Sequence, residues 1–413
     1  MTINPRAISP TRDGASITAA RERPRPRGSN QIGMREFNER VVLQVIRLHG
    51  ALSKAQIARL THLTPQTISF IIGRLEQDGL VLRRAAVRGK VGQPSVPIAL
   101  DPQGAYSIGV KVGRRSLDLL LVDFIGDVRE RISSSYAFPE PESLFRNIDS
   151  GIRELRRRLG RKRAGRLQGI GLAAPLSLSG WHDVLGIPAV QARQWEGVEI
   201  RERVATLTDL PVQFVKDTTA ACVAELVAGG GRELRSFLYV FVGTFIGGGL
   251  VLDSRLHRGA SGNAGAIGSF ATMAGAAGAM PGQLLGTASL WNLETRYREA
   301  GLDSQAALDA RALQKPWAKH TRRWLQSASA PMAMAVHGAA CLLDVDAVIV
   351  DGAMSRPLLQ ALLQAVGEAL DGCNWQGISR PSLQPGTIGA EARAMGGALL
   401  PLYAHFAPDH DLF

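Results

Sequence analysis

Three stretches of this sequence carry residue types that could do chemistry. In "VKDTTAACVAE", Asp217 stands at the end of an apolar run, just before a helix beginning near Thr218. A carboxylate there can act as general base toward a hydroxyl nucleophile, or simply cap the helix. In "IGVKVGRRSLDLLLVD", Ile108 to Asp123, alternating apolar residues lead into Gly113-Arg114-Arg115 and out again. A strand that turns sharply at glycine can cradle a phosphate. Here Lys111 occupies the position suited to a metal or phosphate ligand, and two arginines fill the turn. The third stretch is "GTFIGGGLVLDSRLHRGASGNAGAIGS" from Gly243 to Ser269; with the run before it, "LYVFVGTFIGGGLVLDSRLHRG" from Leu238 to Gly259 repeats the strand, glycine turn, strand pattern.

A fourth stretch suits recognition rather than catalysis. From Asn38 an apolar stripe of Val41, Val42, Val45, Ile46 and Leu48 reads as a helix ending at Gly50. Ser53 followed three residues later by Gln56 forms a capping-box pattern for a second helix. After the turn Thr61-His62-Leu63, Thr64-Pro65 opens a third helix with a cap and a proline at its first position. Ile68, Ile71, Ile72 and Leu75 fall on its inner face, which turns Gln66, Phe70, Gly73 and Gln77 outward, flanked by Thr67, Ser69 and Arg74. Gln66 and Thr67 can reach base edges in a major groove, Phe70 can cover a thymine methyl, and Arg74 can meet phosphate. Strands at Leu80 to Arg83 and Val96 to Leu100 enclose the basic loop "AAVRGKVGQPS". Together these elements read as a winged helix-turn-helix, with Arg88, Lys90 and Gln93 at the wing tip facing the minor groove or phosphates.

The charge distribution agrees with a polyanion partner, double-stranded DNA. The 413 residues carry a formal charge of +12, and residues 1–104 hold 16 Lys/Arg against 7 Asp/Glu. The run "RRRLGRKRAGR", Arg156 to Arg166, ends a helix and reads as a solvated basic face with no function. Cys222, Cys341 and Cys373 lack any paired spacing and read as reduced, mostly buried thiols. No stretch has the length of a membrane span and no apolar signal core opens the chain, so a cytoplasmic protein is expected.

These residues must be positioned by four units. Residues 1–30, rich in Arg, Pro, Ser and Gly, read as a disordered basic tail, and 31–101 as the winged helix-turn-helix. After Asp101-Pro102, strands alternate with helices in an α/β body. Its two hairpin openings, about 130 residues apart in sequence, imply two related lobes around a cleft. The first lobe is expected over 104–235 with a returning helix at 388–405, and the second over 236–387.

The chain resembles the ROK family (repressors, open reading frames and sugar kinases). The resemblance rests on "GxxIGGGLVLDxxLxRGxxGxAGxIG", on the strand-Asp-helix Asp217 to Glu225, and on "GAEARAMGGALL". It implies a two-lobed actin-like (ribonuclease H-like) ATPase fold with sugar between the lobes, and the winged helix places the chain in the repressor branch. Several family features are absent. Lys111 stands where family kinases carry a carboxylate near magnesium-bound phosphate, and Arg114-Arg115 replace small turn residues. Phe245 stands where the family has glycine, which leaves Asp217 as a vestigial base position. The family's "AGEIGH" is "AGAIGS", so Ala266 and Ser269 replace a sugar-gripping carboxylate and a histidine. "AGAAGAMPGQLLG" lacks the cysteines of the family's zinc motif. Lys216 replaces the asparagine before the catalytic aspartate, so sugar recognition is either lost or retuned toward an acidic ligand, and the expected effector is a small sugar or an acidic sugar-derived compound.

The resulting expectation is a DNA-binding regulator, a repressor acting as a homodimer or tetramer. Its body is a non-catalytic effector domain with no cofactor and no metal. The expected effector site comprises Lys216, Asp217, Gly259, Asn263 and Gly265. The alternatives are an active sugar kinase, disfavoured by the altered loops, and a constitutive DNA binder with no effector.

Overall fold

Local capping signals set the second and third helices. The structure, a computed structural model, describes residues 31–86, 96–176, 178, 188–272 and 282–408. Helix α1 spans Gln31–His49, α2 Lys54–Thr61 and α3 Pro65–Gln77. Ser53 and Gln56 form the reciprocal capping box, and Thr64 Oγ1 accepts from Thr67 N at 3.1 Å ahead of Pro65. Helix α1 begins at Gln31 rather than Asn38, because Gly33 and Arg35 interrupt the apolar periodicity without breaking the helix. Ile68, Ile71, Ile72 and Leu75 are buried against Val42, Leu43 and Ile46 of α1. Strands β1 (Val81–Arg83) and β2 (Ile98–Leu100) pair antiparallel as the base of the wing. Arg88, Lys90 and Gln93 lie outside the described residues, as do residues 1–30.

The body contains one strand pattern twice. The first sheet is ordered β5-β4-β3-β6-β7, with β3 Tyr106–Val112, β4 Ser116–Asp123, β5 Val128–Ser135, β6 Leu167–Ala174 and β7 Val212–Lys216. The second is ordered β10-β9-β8-β11-β12, with β8 Phe237–Val242, β9 Ile246–Leu252, β10 Arg255–His257, β11 Ala347–Gly352 and β12 Ser382–Pro385. In each, three antiparallel strands are followed by two parallel ones. The central strands β3 and β8 are buried along their whole length, which their nearly unbroken apolar runs require. Helix α4 (Pro141–Leu159) covers the first sheet, burying Leu144, Ile148, Ile152 and Leu155. On the second sheet α6 (Leu290–Glu299), α7 (Ala318–Leu343) and α8 (Arg356–Asp371) bury Leu293, Trp324 and Leu362.

Two helices join the halves. Helix α5 (Asp217–Ala228) follows β7 and presses onto β9, where Gly247 and Gly249 leave room for Thr218 and Cys222. Helix α9 (Ala392–Phe406) packs along α5 and the first sheet. A Cβ at Gly396 would overlap the Ala220 carbonyl, and one at Gly171 would overlap the Gly397 carbonyl, so these approaches need glycine.

The same α9 also underlies the winged helix. Ala394, Ala398 and Leu402 share one core with Ile46, Ile71 and Phe124, and the Phe406 ring meets Phe124 edge-on at 4.7 Å. Arg47 of α1 donates to the Phe124 carbonyl at 2.7 Å and lies over the Phe124 and Tyr403 rings. Arg166 donates to the carbonyls of Gly79 (3.2 Å) and Gly104 (3.0 Å). Part of the Arg156 to Arg166 run therefore has a role the sequence reading did not give it: Arg166 ties the wing domain to the body. The thiols also need correcting, since Cys222 is buried but Cys341 is exposed, out of phase with the apolar face of α7.

Candidate nucleic-acid interface and effector cleft

On α3 the outward face is open. Gln66 and Ser69 are exposed, and Phe70 is 60% exposed, a large apolar surface on an otherwise polar helix face. Thr67 is half-buried, its hydroxyl bonded to Thr64 Oγ1 at 2.8 Å, so its side chain is held close to the helix start. Arg74, expected to face phosphate, instead pairs with Glu39 of α1 at 2.8 Å. That partner lies in another helix, beyond the reach of a single-helix wheel.

Between the lobes lies a cavity of about 270 Å³. Lys216, Asp217 and Asn263 line it, and Lys216 Nζ donates to Asn263 Oδ1 across the cleft at 2.7 Å. Burial pulls the Lys216 pKa down. Gly259 and Gly265 are not on the described wall. They shape the loop behind it, at φ of 74° and 72°, and Gly265 backs against Gly249. Ala266 and Ser269 do line the cavity, and neither brings a charge to it.

Asp217 is engaged at both carboxylate oxygens: its Oδ1 accepts from Thr218 N of the first helical turn at 2.9 Å, as a capping side chain does. It is the first residue of α5, with Lys216 at the capping position, and its Oδ2 accepts from Arg393 Nη1 at 3.2 Å. Arg393, on the first turn of α9, also lies over the Phe241 ring at 4.8 Å. Sequence reasoning missed it as a site residue. The available signal was its position as the sole Lys, Arg, Asp or Glu in the otherwise Ala/Gly-rich segment Ala392 to Phe406.

The hairpin turns that would face a phosphate are occupied by each other. Lys111 does not point at such a ligand: its Nζ donates to Ser116 Oγ at 2.6 Å and Asp118 Oδ2 at 3.0 Å. The β3–β4 register places Lys111 directly across from Asp118. Burial is the main cause that lowers the Lys111 pKa to about 8, and nearby Arg393 adds to it while Asp118 opposes. Arg114 lies over the Phe245 ring at 4.9 Å, and burial brings its pKa down to about 10. Arg115 grips Glu294 of α6 with both nitrogens, at 2.7 and 2.8 Å, and donates to Thr244 Oγ1 at 2.9 Å. The second turn is fixed from behind, since Leu290 N donates to the Gly243 carbonyl and Ile246 N to Ser289 Oγ, both at 3.0 Å. A side-chain clasp thus bridges the two turns at the end of the cleft where the resemblance puts nucleotide phosphates. The segment corresponding to the family's zinc motif lies largely outside the described residues.

Comparison with known proteins gives these features a context. Residues 107–402 match the ROK family, and residues 38–81 match a winged helix-turn-helix DNA-binding family. A putative xylose repressor from Caldicellulosiruptor sp. (strain Rt8B.4) is 27% identical over 241 residues, 58% of this chain. The chain spans 59% of that relative's length. The crystal structure of a ROK family transcriptional regulator, a homologue of the E. coli MLC protein, superposes with a TM-score of 0.66 at 19% identity. It covers 92% of this chain and 98% of its own, which requires the winged helix to align as well as the body. A ROK family glucokinase from Streptomyces griseus, solved with glucose and AMPPNP, has a TM-score of 0.56 at 21% identity. It covers 72% of this chain and 99% of its own. At such identities the two structures establish the fold. With a match running from β3 into α9, the chain belongs to the ROK family and carries a winged helix-turn-helix ahead of its two lobes.

Proposed function

We propose that this chain is a transcriptional repressor that reads double-stranded operator DNA with α3 and the wing. Its kinase-like body binds a small effector and associates with further copies, without transferring phosphate. The observation that carries this reading is the placement of α9: its first turn holds Arg393 in the cleft, while Ala398 and Leu402 lie in the core of the winged helix. A ligand that interacts differently with two arrangements of the cleft can then bias the reading head, and the coupling is reciprocal. The names of the repressor relatives point the same way. The Arg115–Glu294 clasp and the Arg114–Phe245 stack argue against catalysis, because they tie the two turns to each other with bulky side chains. A two-fold operator calls for two reading heads, hence a homodimer or a larger even assembly. Such a regulator works in the cytoplasm, where the DNA is.

The test is selection of genomic fragments by the full chain, followed by affinity measurement on the enriched site. ATP turnover with common hexoses is measured on the same preparation. Enrichment of one site without hexose-dependent turnover is expected. Turnover abolished by Asp217→Asn, or binding with no sequence preference, would overturn the reading.

A further inference from the structure

Near its end α7 carries a thiol and an imidazole one turn apart, outside the residues that line the cleft. Cys341 is exposed, and its Sγ lies 3.7 Å from Nδ1 of His337. The i, i+4 spacing puts both on one face of the helix. The far ring nitrogen fixes the proton: Nε2 is 2.8 Å from the Asn374 carbonyl, which can only accept. Nε2 therefore carries the hydrogen, and Nδ1 offers its lone pair to the thiol. Trp375 holds the ring from another side, with its centroid 5.0 Å away and its own Nε1 donating to the Leu370 carbonyl at 3.0 Å. Nucleophile, base and the acceptor that orients the base stand in succession, the arrangement that activates a thiol. The surroundings make the base necessary. Between Arg323 and Asp344 the chain has no Lys, Arg, Asp or Glu, so no cation on this part of α7 assists the sulfur. Cys341 is in the last turn, where the helix dipole and Asp344 at the cap disfavour negative charge. The other thiols are placed differently. Cys373 is half-buried with its Sγ turned to the Ala369 carbonyl at 3.7 Å, and Cys222 is fully buried, which pushes its thiol up.

We propose that Cys341 is a modification site, a thiol activated by His337 that hydroperoxides oxidise to a sulfenic acid and that a low-molecular-weight thiol then caps. In the first step Nδ1 takes the thiol proton, and the sulfur attacks one oxygen of the peroxide. The O–O bond breaks as sulfur gives up two electrons. The departing hydroxide takes the proton from the imidazolium and leaves as water. In the second step the capping thiol attacks the sulfenic sulfur, and a second water leaves as the mixed disulfide forms. Leu342, next to the site, is 84% exposed, so both reagents reach the sulfur without any opening of the fold. The proposal does not depend on the effector reading of the cleft.

The test is oxidation of the reduced full chain with hydrogen peroxide in the presence of a sulfenic acid trap, with peptide mapping to follow each cysteine separately. Cys341 should be trapped first, at least about tenfold faster than Cys373, while buried Cys222 stays unmodified. His337→Gln leaves a polar side chain in place that cannot take a proton. It should slow Cys341 about tenfold or more and change Cys373 by less than about twofold. Exposure alone would make Cys341 the fastest thiol but would not make it depend on His337. Unmodified Cys222 reports an intact fold in each protein; if His337→Gln unfolds, the wild-type ratio of Cys341 to Cys373 decides. Glutathione added after the peroxide, without the trap, should appear as a mixed disulfide on Cys341. Cys373 trapped as fast as Cys341, no trapping at Cys341, or an intact His337→Gln variant reacting at the wild-type rate would each overturn the proposal. A trapped Cys341 that takes up no glutathione would overturn the capping step.

Discussion

Removing the clasp arginine should loosen the two lobes measurably. In Arg115→Ala the Glu294 carboxylate, 3% exposed, loses two charge-assisted bonds, and Thr244 loses a third donor. Stranding a buried carboxylate costs about 3–5 kcal/mol when no water replaces the partner. Arg115 is itself 31% exposed, so solvent enters the vacated space, and the expected loss falls to about 2–4 kcal/mol. For a cooperative unit of lobe size this corresponds to a melting midpoint roughly 4–15 °C lower. Denaturant unfolding of wild type, Arg115→Ala, Glu294→Gln and the double variant closes a cycle. A coupling of about 1.5–3 kcal/mol is expected, because the neutral amide no longer needs the guanidinium. If the two single changes add within about 0.5 kcal/mol, the turns are not held together by this pair. Arg115 and Glu294 would then not be what clasps the phosphate end of the cleft.

Three further outcomes are expected. Lys111 has its folded pKa depressed to about 8 from 10.5, so the unfolded chain binds the extra proton between those values. Stability from this group is absent below about pH 8 and grows as pH rises toward 10.5. The wild-type minus Lys111→Gln difference should therefore rise by up to about 1.4 kcal/mol per pH unit in that window, and a flat difference refutes it. Gln66→Ala should cost about 1–3 kcal/mol on the selected operator and relax base preference at one position, read by binding to single-base variants. Arg88→Ala or Lys90→Ala should weaken binding to all sequences alike and flatten the salt dependence by about one counterion each.

What the sequence disclosed was local or periodic. The capping pairs Ser53/Gln56 and Thr64/Pro65 act within one turn, so the three helices before the wing were readable, and the paired hairpins announced the doubled sheet pattern. Lys111 opposite Asp118 could also have been read, because the Gly113 turn fixes the register of the hairpin. The decisive ion pairs were out of reach. Arg393 meets Asp217 across 176 residues and Arg115 meets Glu294 across 179. No periodicity links such positions, since the packing of α9 on α5 brings the first pair together and the docking of the two lobes the second. The same reason hid Arg74, whose partner Glu39 belongs to a different helix.

The shared core beneath the winged helix also has a consequence for how the chain is made. Ser107, at the start of the body, bonds to the Ala398 carbonyl across 291 residues, and Ile46 and Ile71 share their core with residues just as distant. At ordinary translation speeds that interval takes about 15–60 s. For that time the reading helix has emerged from the ribosome, but Phe124 and the underside of α1 await Leu402 and Phe406. An interrupted synthesis yields a head without its floor, with apolar surface open to chaperones and proteases. Firm seating of the DNA-reading head is thereby deferred until nearly the whole described body has been made.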